Sequence, residues 1–205
     1  ATFAASFSAK NWTIDGCIFR NSTGIGIDAG NLDDSIITST QVLDNGGAGI
    51  KISGGSTGTL VSNSLVRNNT GDGIWLVSSN GNTIDACTIH ENARGFYNQN
   101  SSSIILRNCS ITSNTGAGII SGGSFAYLNH NNVYGNSPNY SGVSAGTNDI
   151  SADPLYINEA ANNFLLSQIA AGQGSDSPNI NAGTAYADAL DLDLYSTRTD
   201  TIVDQ

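Results

Sequence analysis

The sequence predicts an all-β chain: a parallel β-helix solenoid of about six rungs of 22 to 24 residues, followed by an irregular C-terminal extension. Three observations carry this. Residue types recur in register along the chain; the apolar ones come in short Ile- and Val-rich runs; and those runs are broken by Gly, Asn, Ser and Thr without sustained helical spacing.

The recurrence is plainest when residues 104–118 are laid on residues 84–95. Leu106, Cys109, Ile111, Asn114 and Gly118 then answer to Ile84, Cys87, Ile89, Asn92 and Gly95. Extended over the chain, one aliphatic column holds Ile14, Ile37, Leu60, Ile84, Leu106 and Leu128, with separations of 23, 23, 24, 22 and 22. A second holds Phe19, Val42, Leu65, Ile89, Ile111 and Val133, and a third Ser22, Asn45, Asn68, Asn92, Asn114 and Asn136. The fourth is Gly26, Gly49, Gly73, Gly95 and Gly118, each followed by Ile27, Ile50, Ile74, Phe96 or Ile119. A leucine-rich repeat has a comparable period but requires a Leu-x-x-Leu-x-Leu core that is missing here. Short strands joined by turns remain.

The columns suit that geometry. Rungs about 4.8 Å apart place Ile above Ile above Leu in a continuous dry stack, and β-branched residues fit a pleated surface. The third column reads as an asparagine ladder of turn residues whose amides bond the next rung, each bond contributing on the order of 1 kcal/mol. Ser22 breaks the ladder at its first rung. The glycine column marks either positive φ or close backbone approach.

Residues 1–157 are expected to form the solenoid, with residues 1–10, which include Phe3 and Phe7, as an N-terminal cap or partial rung that shields the open strand edges. Beyond Asn136 the columns loosen. Ile150 is a candidate last-rung position, and Pro154, which cannot donate to a ladder, suits the exit from the final rung. Residues 158–205 are expected to be a capping or extension segment.

Seven Lys plus Arg against seventeen Asp plus Glu give a net charge of −10 and a pI near 4.2, which repels DNA, RNA and anionic membranes. Nucleic acid is therefore not an expected partner, and no apolar run approaches the roughly 18 residues of a membrane span. Only 12% of residues are charged, so solubility rests on Asn, Ser and Thr, as in many secreted all-β proteins. A chain without Met that opens at Ala1 in repeat-like sequence reads as a mature or excised fragment, and the expected location is extracellular or at the cell surface.

Cys17, Cys87 and Cys109 share a column with Thr40, Asn63 and Asn131. Cys17 is rungs away from the others. Cys87 and Cys109, on adjacent rungs, are either inward free thiols or a disulfide made awkward by parallel Cβ directions. That spacing, with His90 and His130 as the only histidines, argues against a zinc site. Asn-x-Ser/Thr sequons start at Asn11, Asn21, Asn68, Asn100, Asn108 and Asn139; a composition this rich in those residues produces them by chance, and glycosylation needs a secretory host.

The rung pattern, with Asp153-Pro154-Leu155-Tyr156, Asn163-Phe164-Leu165-Leu166 and Ser177-Pro178-Asn179-Ile180-Asn181-Ala182-Gly183, resembles the right-handed parallel β-helix repeat proteins of bacterial and archaeal cell surfaces. These share architecture with pectate lyases, chondroitinase B and alginate epimerases. The resemblance covers most of the chain and implies the fold rather than an activity; with the general rule for parallel crossovers it supplies the right hand. Residues 191–205 resemble the family's closing segment, which normally continues into one more strand, so the expectation is either that the chain stops short of its natural end or that its last residues are flexible. The alginate epimerase pattern Asp-Pro-His-Glu is missing, since Pro154 is followed by Leu155 and Tyr156.

Outward positions are where binding or chemistry must sit, because the stacks fill the inside. After the glycine column these are Asp28, Lys51, Trp75, Tyr97 and Ile120. Lys51, Trp75 and Tyr97 on consecutive rungs form an aromatic strip about 10 Å long with a cation beside it, fitted to a saccharide chain. The alternative is plain cross-strand packing or contact with a neighbouring domain. A second outward face carries Arg20, Leu43, Val66, His90, Thr112 and Tyr134, with Asp44, Arg67 and Glu91 one step on. A lyase or epimerase needs a base beside a uronate carboxylate and a cation for the enolate-like state; Arg67, His90 and Glu91 are the one cluster that fits, and a solvated charged face is the alternative. Asp33 with Asp34, and Asp191 with Asp193, are candidate calcium ligands, although paired acids in loops are usually just solvated, and no cofactor is otherwise expected.

The expected function is a non-catalytic surface module that displays a rigid face to polysaccharide or to other surface proteins. The alternatives are a carbohydrate-active enzyme (polysaccharide lyase, epimerase or glycosidase) and a filament or surface-layer subunit whose open ends associate end to end. The negative field disfavours an enzyme for acidic glycans.

Overall fold

Each turn of the chain consists of three short strands and three corners. The structure, a computed structural model, describes residues 3–8, 10–161, 163–180 and 182–183. Sheet A stacks Phe3–Phe7, Ile25–Gly30, Ile50–Ser53, Asp72–Val77, Arg94–Gln99, Ile119–Ser121 and Tyr140–Ser141. Sheet B stacks Thr13–Asp15, Ile36–Thr38, Leu60–Ser62, Thr83–Asp85, Ile104–Arg107 and Phe125–Asn129. Sheet C stacks Ile18–Arg20, Gln41–Leu43, Leu65–Arg67, Thr88–His90, Ser110–Thr112 and Asn132–Tyr134. Every pairing in the three sheets is parallel, so the chain is a parallel β-helix.

The corners explain why strands of three residues suffice. Between sheets B and C a residue with φ between 46° and 62° turns the chain: Gly16, Ser39, Asn63, Ala86, Asn108 and His130. Between sheets C and A the equivalent residues are Asn21, Asp44, Asn68, Glu91, Ser113 and Gly135. At most of these corners the next side chain bends into the helix and bonds along the axis, as Thr40, Ser64, Asn45 and Asn69 do. At the C-to-A corner this produces the asparagine ladder, in which each Oδ1 accepts both the backbone N–H and the Nδ2–H of the asparagine one rung earlier: Asn45 to Asn69, Asn69 to Asn92, Asn92 to Asn114, and Asn114 to Asn136. Asn139 closes it at one end, and Ser22, whose N–H donates to Asn45 Oδ1, begins it at the other.

One rung corrects the sequence register. The columns there are Val61, Ser64, Val66 and Asn69 rather than Leu60, Asn63, Leu65 and Asn68, as the pairings Ile37 with Val61 and Val42 with Val66 require. Ile27 to Ile37 spans ten residues, Ile50 to Val61 eleven and Ile74 to Ile84 ten, so the extra residue sits in the corner that carries Gly54, Gly55 and Gly58. Counting from the wrong side of that corner shifts a whole rung by one. The glycine column is also resolved: Gly26, Gly49, Gly73, Gly95 and Gly118 are places of close approach, where a Cβ would come within 2.5 to 2.6 Å of the nearest heavy atom, and none has positive φ.

Inside, Ile27, Ile50, Ile74, Phe96 and Ile119 meet the aliphatic stacks of sheets B and C in one continuous apolar cluster that includes Cys87 and Cys109. All three cysteines are free, with the Cys87 and Cys109 thiols directed at backbone carbonyls. Burial pushes the Cys109 thiol well above its ordinary range, which keeps it a neutral packing group.

After Ser141 the chain leaves the stack. Ile150 makes one last parallel bridge, to Asn132. Tyr156–Asn158 and Asn163–Leu166 then form an antiparallel hairpin, joined through the 3-10 turn Glu159–Ala161, that lies on the outer face of sheet C. Phe164 packs on Leu43 and Leu65, and Tyr156 packs with them. The Tyr156 hydroxyl donates to Ser110 Oγ at 2.5 Å, and Asn179 Nδ2 donates to the same oxygen at 3.2 Å. Ser177 and Asn179, from the motif that carried the resemblance, are buried: Ser177 Oγ donates to the Pro154 carbonyl, and Asn179 Oδ1 accepts from Asn132 Nδ2. Among the described residues no helix is long and apolar enough to cross a membrane.

Candidate functional site

The outer row of sheet A is in the register the sequence predicts. Asp28 pairs with Lys51, Lys51 with Trp75, Trp75 with Tyr97, and Tyr97 with Ile120, each facing away from the core and each partly exposed. The Trp75 and Tyr97 rings are parallel to within 3° with centroids 6.4 Å apart. Lys51 Nζ lies 5.4 Å from the Trp75 ring centroid and 3.7 Å from Asp28 Oδ1. Parallel strands impose this alignment, because side chains at one register position leave the sheet in one direction.

Three further residues complete the strip that column counting left out. Arg94 stands 4.3 Å from the Tyr97 ring centroid and is held by Asp72 of the preceding rung, with Nη2 to Oδ2 at 2.9 Å. The Asp72 carboxylate, almost fully buried, pushes the already high pKa of Arg94 further up. Gln99 Oε1 accepts from Trp75 Nε1 at 3.0 Å and fixes the indole. A signal was present, since Asp72 and Arg94 lie 22 residues apart, one rung in that region of the chain. The result is two parallel rings with a cation beside each and both ends held by carboxylates: a face able to stack on apolar ring surfaces and to donate hydrogen bonds at its margins.

The second candidate cluster is placed differently from expectation. Correcting the register moves Arg67 into the row of His90, and the hairpin covers the middle of that row, burying His90 while Arg20, Tyr134 and the neighbouring Glu91 stay exposed. His90 is completely buried between the rings of Tyr156 and Phe164, with Nδ1 2.8 Å from Thr112 Oγ1. Arg67 grips Glu91 Oε2 through Nε at 2.9 Å and Nη2 at 2.7 Å, and donates from Nη1 to the Glu159 carbonyl. Burial pushes the His90 imidazole from 6.5 to about 4, against a smaller upward pull from Glu91. A base shut under a hairpin, with its cation committed to a carboxylate, lacks the access a uronate would need.

Asp33 Oδ1 accepts from the backbone N–H and hydroxyl of Thr57, and Oδ2 pairs with Lys10 Nζ at 2.5 Å, which holds its carboxyl below the usual range. Asp34 sits beside it at a corner with φ 50°. Asp191 and Asp193 lie outside the described residues. Among the described residues no three His, Cys, Asp or Glu side chains converge as a metal site.

Residues 4–165 match the family model for the right-handed beta helix region. No curated protein matches the sequence significantly. Among solved structures the chain is similar to the periplasmic alginate epimerase AlgG: one mutant superposes with a TM-score of 0.63 at 16% identity over 73% of this chain and 41% of that one. The structure of AlgG itself gives a TM-score of 0.52 at 16% identity over 73% and 45%. Pectate lyase Pel9A gives 0.57 at 12% identity over 96% of this chain and 68% of that one. The chain therefore spans less than half the length of the epimerase, and at these identities the likeness is one of fold.

Proposed function

Since the chain belongs to the right-handed β-helix family, we propose that it is a carbohydrate-binding surface module whose ligand lies along the outer face of sheet A, on Asp28, Lys51, Trp75 and Tyr97. The observation that carries this is the pair of parallel Trp75 and Tyr97 rings with Lys51 and Arg94 over them. Sugar rings present C–H faces that stack on aromatic rings and hydroxyls that accept from cationic donors at the rim. The names of two structural neighbours, an alginate epimerase and a pectate lyase, support a polysaccharide as ligand class, and the periplasmic location of the epimerase supports a place outside the cytoplasm.

Binding is favoured over catalysis because four of the described cations, Arg67 beside His90 among them, are already committed to carboxylates. Arg94 is paired with Asp72, Arg67 with Glu91, Arg107 with Asp85 and Lys10 with Asp33. Proton abstraction beside a uronate needs a cation available to the developing negative charge.

The test is a glycan-array screen of the wild type beside Trp75→Ala, followed by product analysis on every polysaccharide retained. The expected result is binding that falls at least tenfold in the variant, a loss of about 1.4 kcal/mol, with no change in polymer length or unsaturation. The thermal midpoint should stay within a few degrees, because Trp75 is outside the core. Cleavage or epimerisation would replace this proposal with the enzyme reading, and absence of binding to any glycan would leave a structural subunit.

A further inference from the structure

We infer that the hairpin formed by residues 156–161 and 163–166 is an acid-released strap over the outer face of sheet C, with His90 as the residue that senses the proton. The strap does not touch the aromatic strip, and this inference is independent of the carbohydrate proposal.

The geometry is that of a base enclosed on every side. Below His90 is sheet C, where Thr112 takes Nδ1; above it are the rings of Tyr156 and Phe164, centroids 5.9 and 5.0 Å away. Nε2 has no hydrogen-bond partner in this enclosure. The carboxylates that face it are Glu91 from the adjoining corner at 3.8 Å and Glu159 from the turn of the strap at 3.7 Å. Arg67 from the neighbouring rung bridges these two elements, gripping Glu91 and the Glu159 carbonyl. Protonating His90 in place puts a charge under two aromatic rings beside the fixed charge of Arg67, and the two carboxylates at ion-pair rather than hydrogen-bond distance offset only part of that burial cost.

The sign follows from the two states of the strap. Docked, His90 stays neutral down to about 4; released, it protonates near the ordinary 6.5. Its contribution to docking is thus complete above pH 6.5 and is lost as pH falls toward 4, about tenfold in the docking constant per pH unit, or on the order of a hundredfold by pH 4.5. Glu159 works the other way. Burial, Glu91 and Asp153 raise its carboxyl, so acid favours its docked form and partly offsets His90. Tyr156, pushed up to about 12 by burial, does not titrate in this window. Release uncovers Leu43, Leu65 and the hydroxyls of Thr88, Ser110 and Thr112, so acid would expose a second outer face of the solenoid.

The test is amide hydrogen exchange of residues 156–161 and 163–166, relative to sheet A, from pH 7.5 to 4.5 after correction for intrinsic rates. Wild-type protection should fall by tens- to a hundredfold while sheet A stays protected, and His90→Gln should flatten that fall to less than about threefold. Glu159→Gln removes the opposing group and should steepen it. Phe164→Ala, whose strap should be open already at pH 7.5, gives the released reference. There the His90 imidazole should titrate by NMR near 6.5, against about 4 in the wild type. Wild-type protection that does not change with pH, a parallel fall in His90→Gln, or a wild-type His90 titrating near 6.5 would each overturn the inference.

Discussion

Replacing Gly95 by alanine is expected to destabilise the solenoid by on the order of 3 kcal/mol, the upper range for forced overpacking of a rigid site. A Cβ there would stand 2.5 Å from the Gly118 carbonyl oxygen, 2.5 Å from Ile111 Cγ2 and 2.9 Å from Asn114 Nδ2. None of these is the free end of a flexible side chain. The carbonyl belongs to the next rung and accepts the Phe96 N–H, the Ile111 methyl is packed in the core, and the Asn114 amide is a member of the ladder. The strain must therefore push adjacent rungs apart or tear the ladder. Urea or thermal unfolding measures it, and a midpoint drop of roughly 6–12 °C is expected for a chain of this size. Gly81→Asn is the control. Gly81 has φ +64° with nothing within 4 Å of its Cβ position, and asparagine tolerates that conformation, so its midpoint should barely move.

The same contrast explains what was legible in the sequence. The close-approach glycines recur without exception at five rungs because no other residue fits, and that regularity exposed the period. The left-handed corner positions hold Gly, Ser, Asn, Ala and His at equivalent places, since the demand there is on φ and several residues meet it at modest cost. They formed no visible column, although they turn the chain. The one-residue slip at Leu60, Asn63, Leu65 and Asn68 has a related cause. An insertion at an exposed glycine-rich corner leaves the columns equally spaced on paper, and only strand pairing shows on which side of the corner the extra residue lies.

The sheet A strip was legible because its residues share a single register position, upstream of any insertion within the strand. Arg94 and Asp72 were not: they are register partners one rung apart, but the other rungs hold Ile25, Ala48 and Ala117 at that position, so no column marked it. The His90 cluster was misplaced for a different reason: periodicity tells which side chains point outward and carries no information on what lies over them. The cover comes from an aperiodic hairpin 66 residues further on, from His90 to Tyr156. Its attachment rests on Phe164, Tyr156 and Asn179, which no repeat pattern marks.

Asn92→Ala should be at least as costly as the glycine change, roughly 3–5 kcal/mol, because it leaves buried groups unsatisfied on two sides at about 1–3 kcal/mol each. Asn92 Oδ1 accepts the Asn69 N–H at 3.0 Å and the Asn69 amide at 2.9 Å, and its Nδ2 donates to the carbonyls of Val66 and His90 and to Asn114 Oδ1. The ladder has a direction, and the damage should follow it. The Asn69 backbone N–H loses its acceptor, whereas the Asn114 N–H keeps Asn136 Oδ1. Hydrogen exchange should accordingly show a large loss of protection at Asn69 and its rung, and little at Asn114. Asn92→Ser should recover about 1 kcal/mol relative to alanine, because a hydroxyl at the equivalent corner position already does half of this work: Ser64 Oγ accepts the Thr40 N–H and donates to the Ser62 carbonyl. Symmetric loss on both sides of the substitution would mean that rung stacking, rather than the directed amide chain, holds this corner.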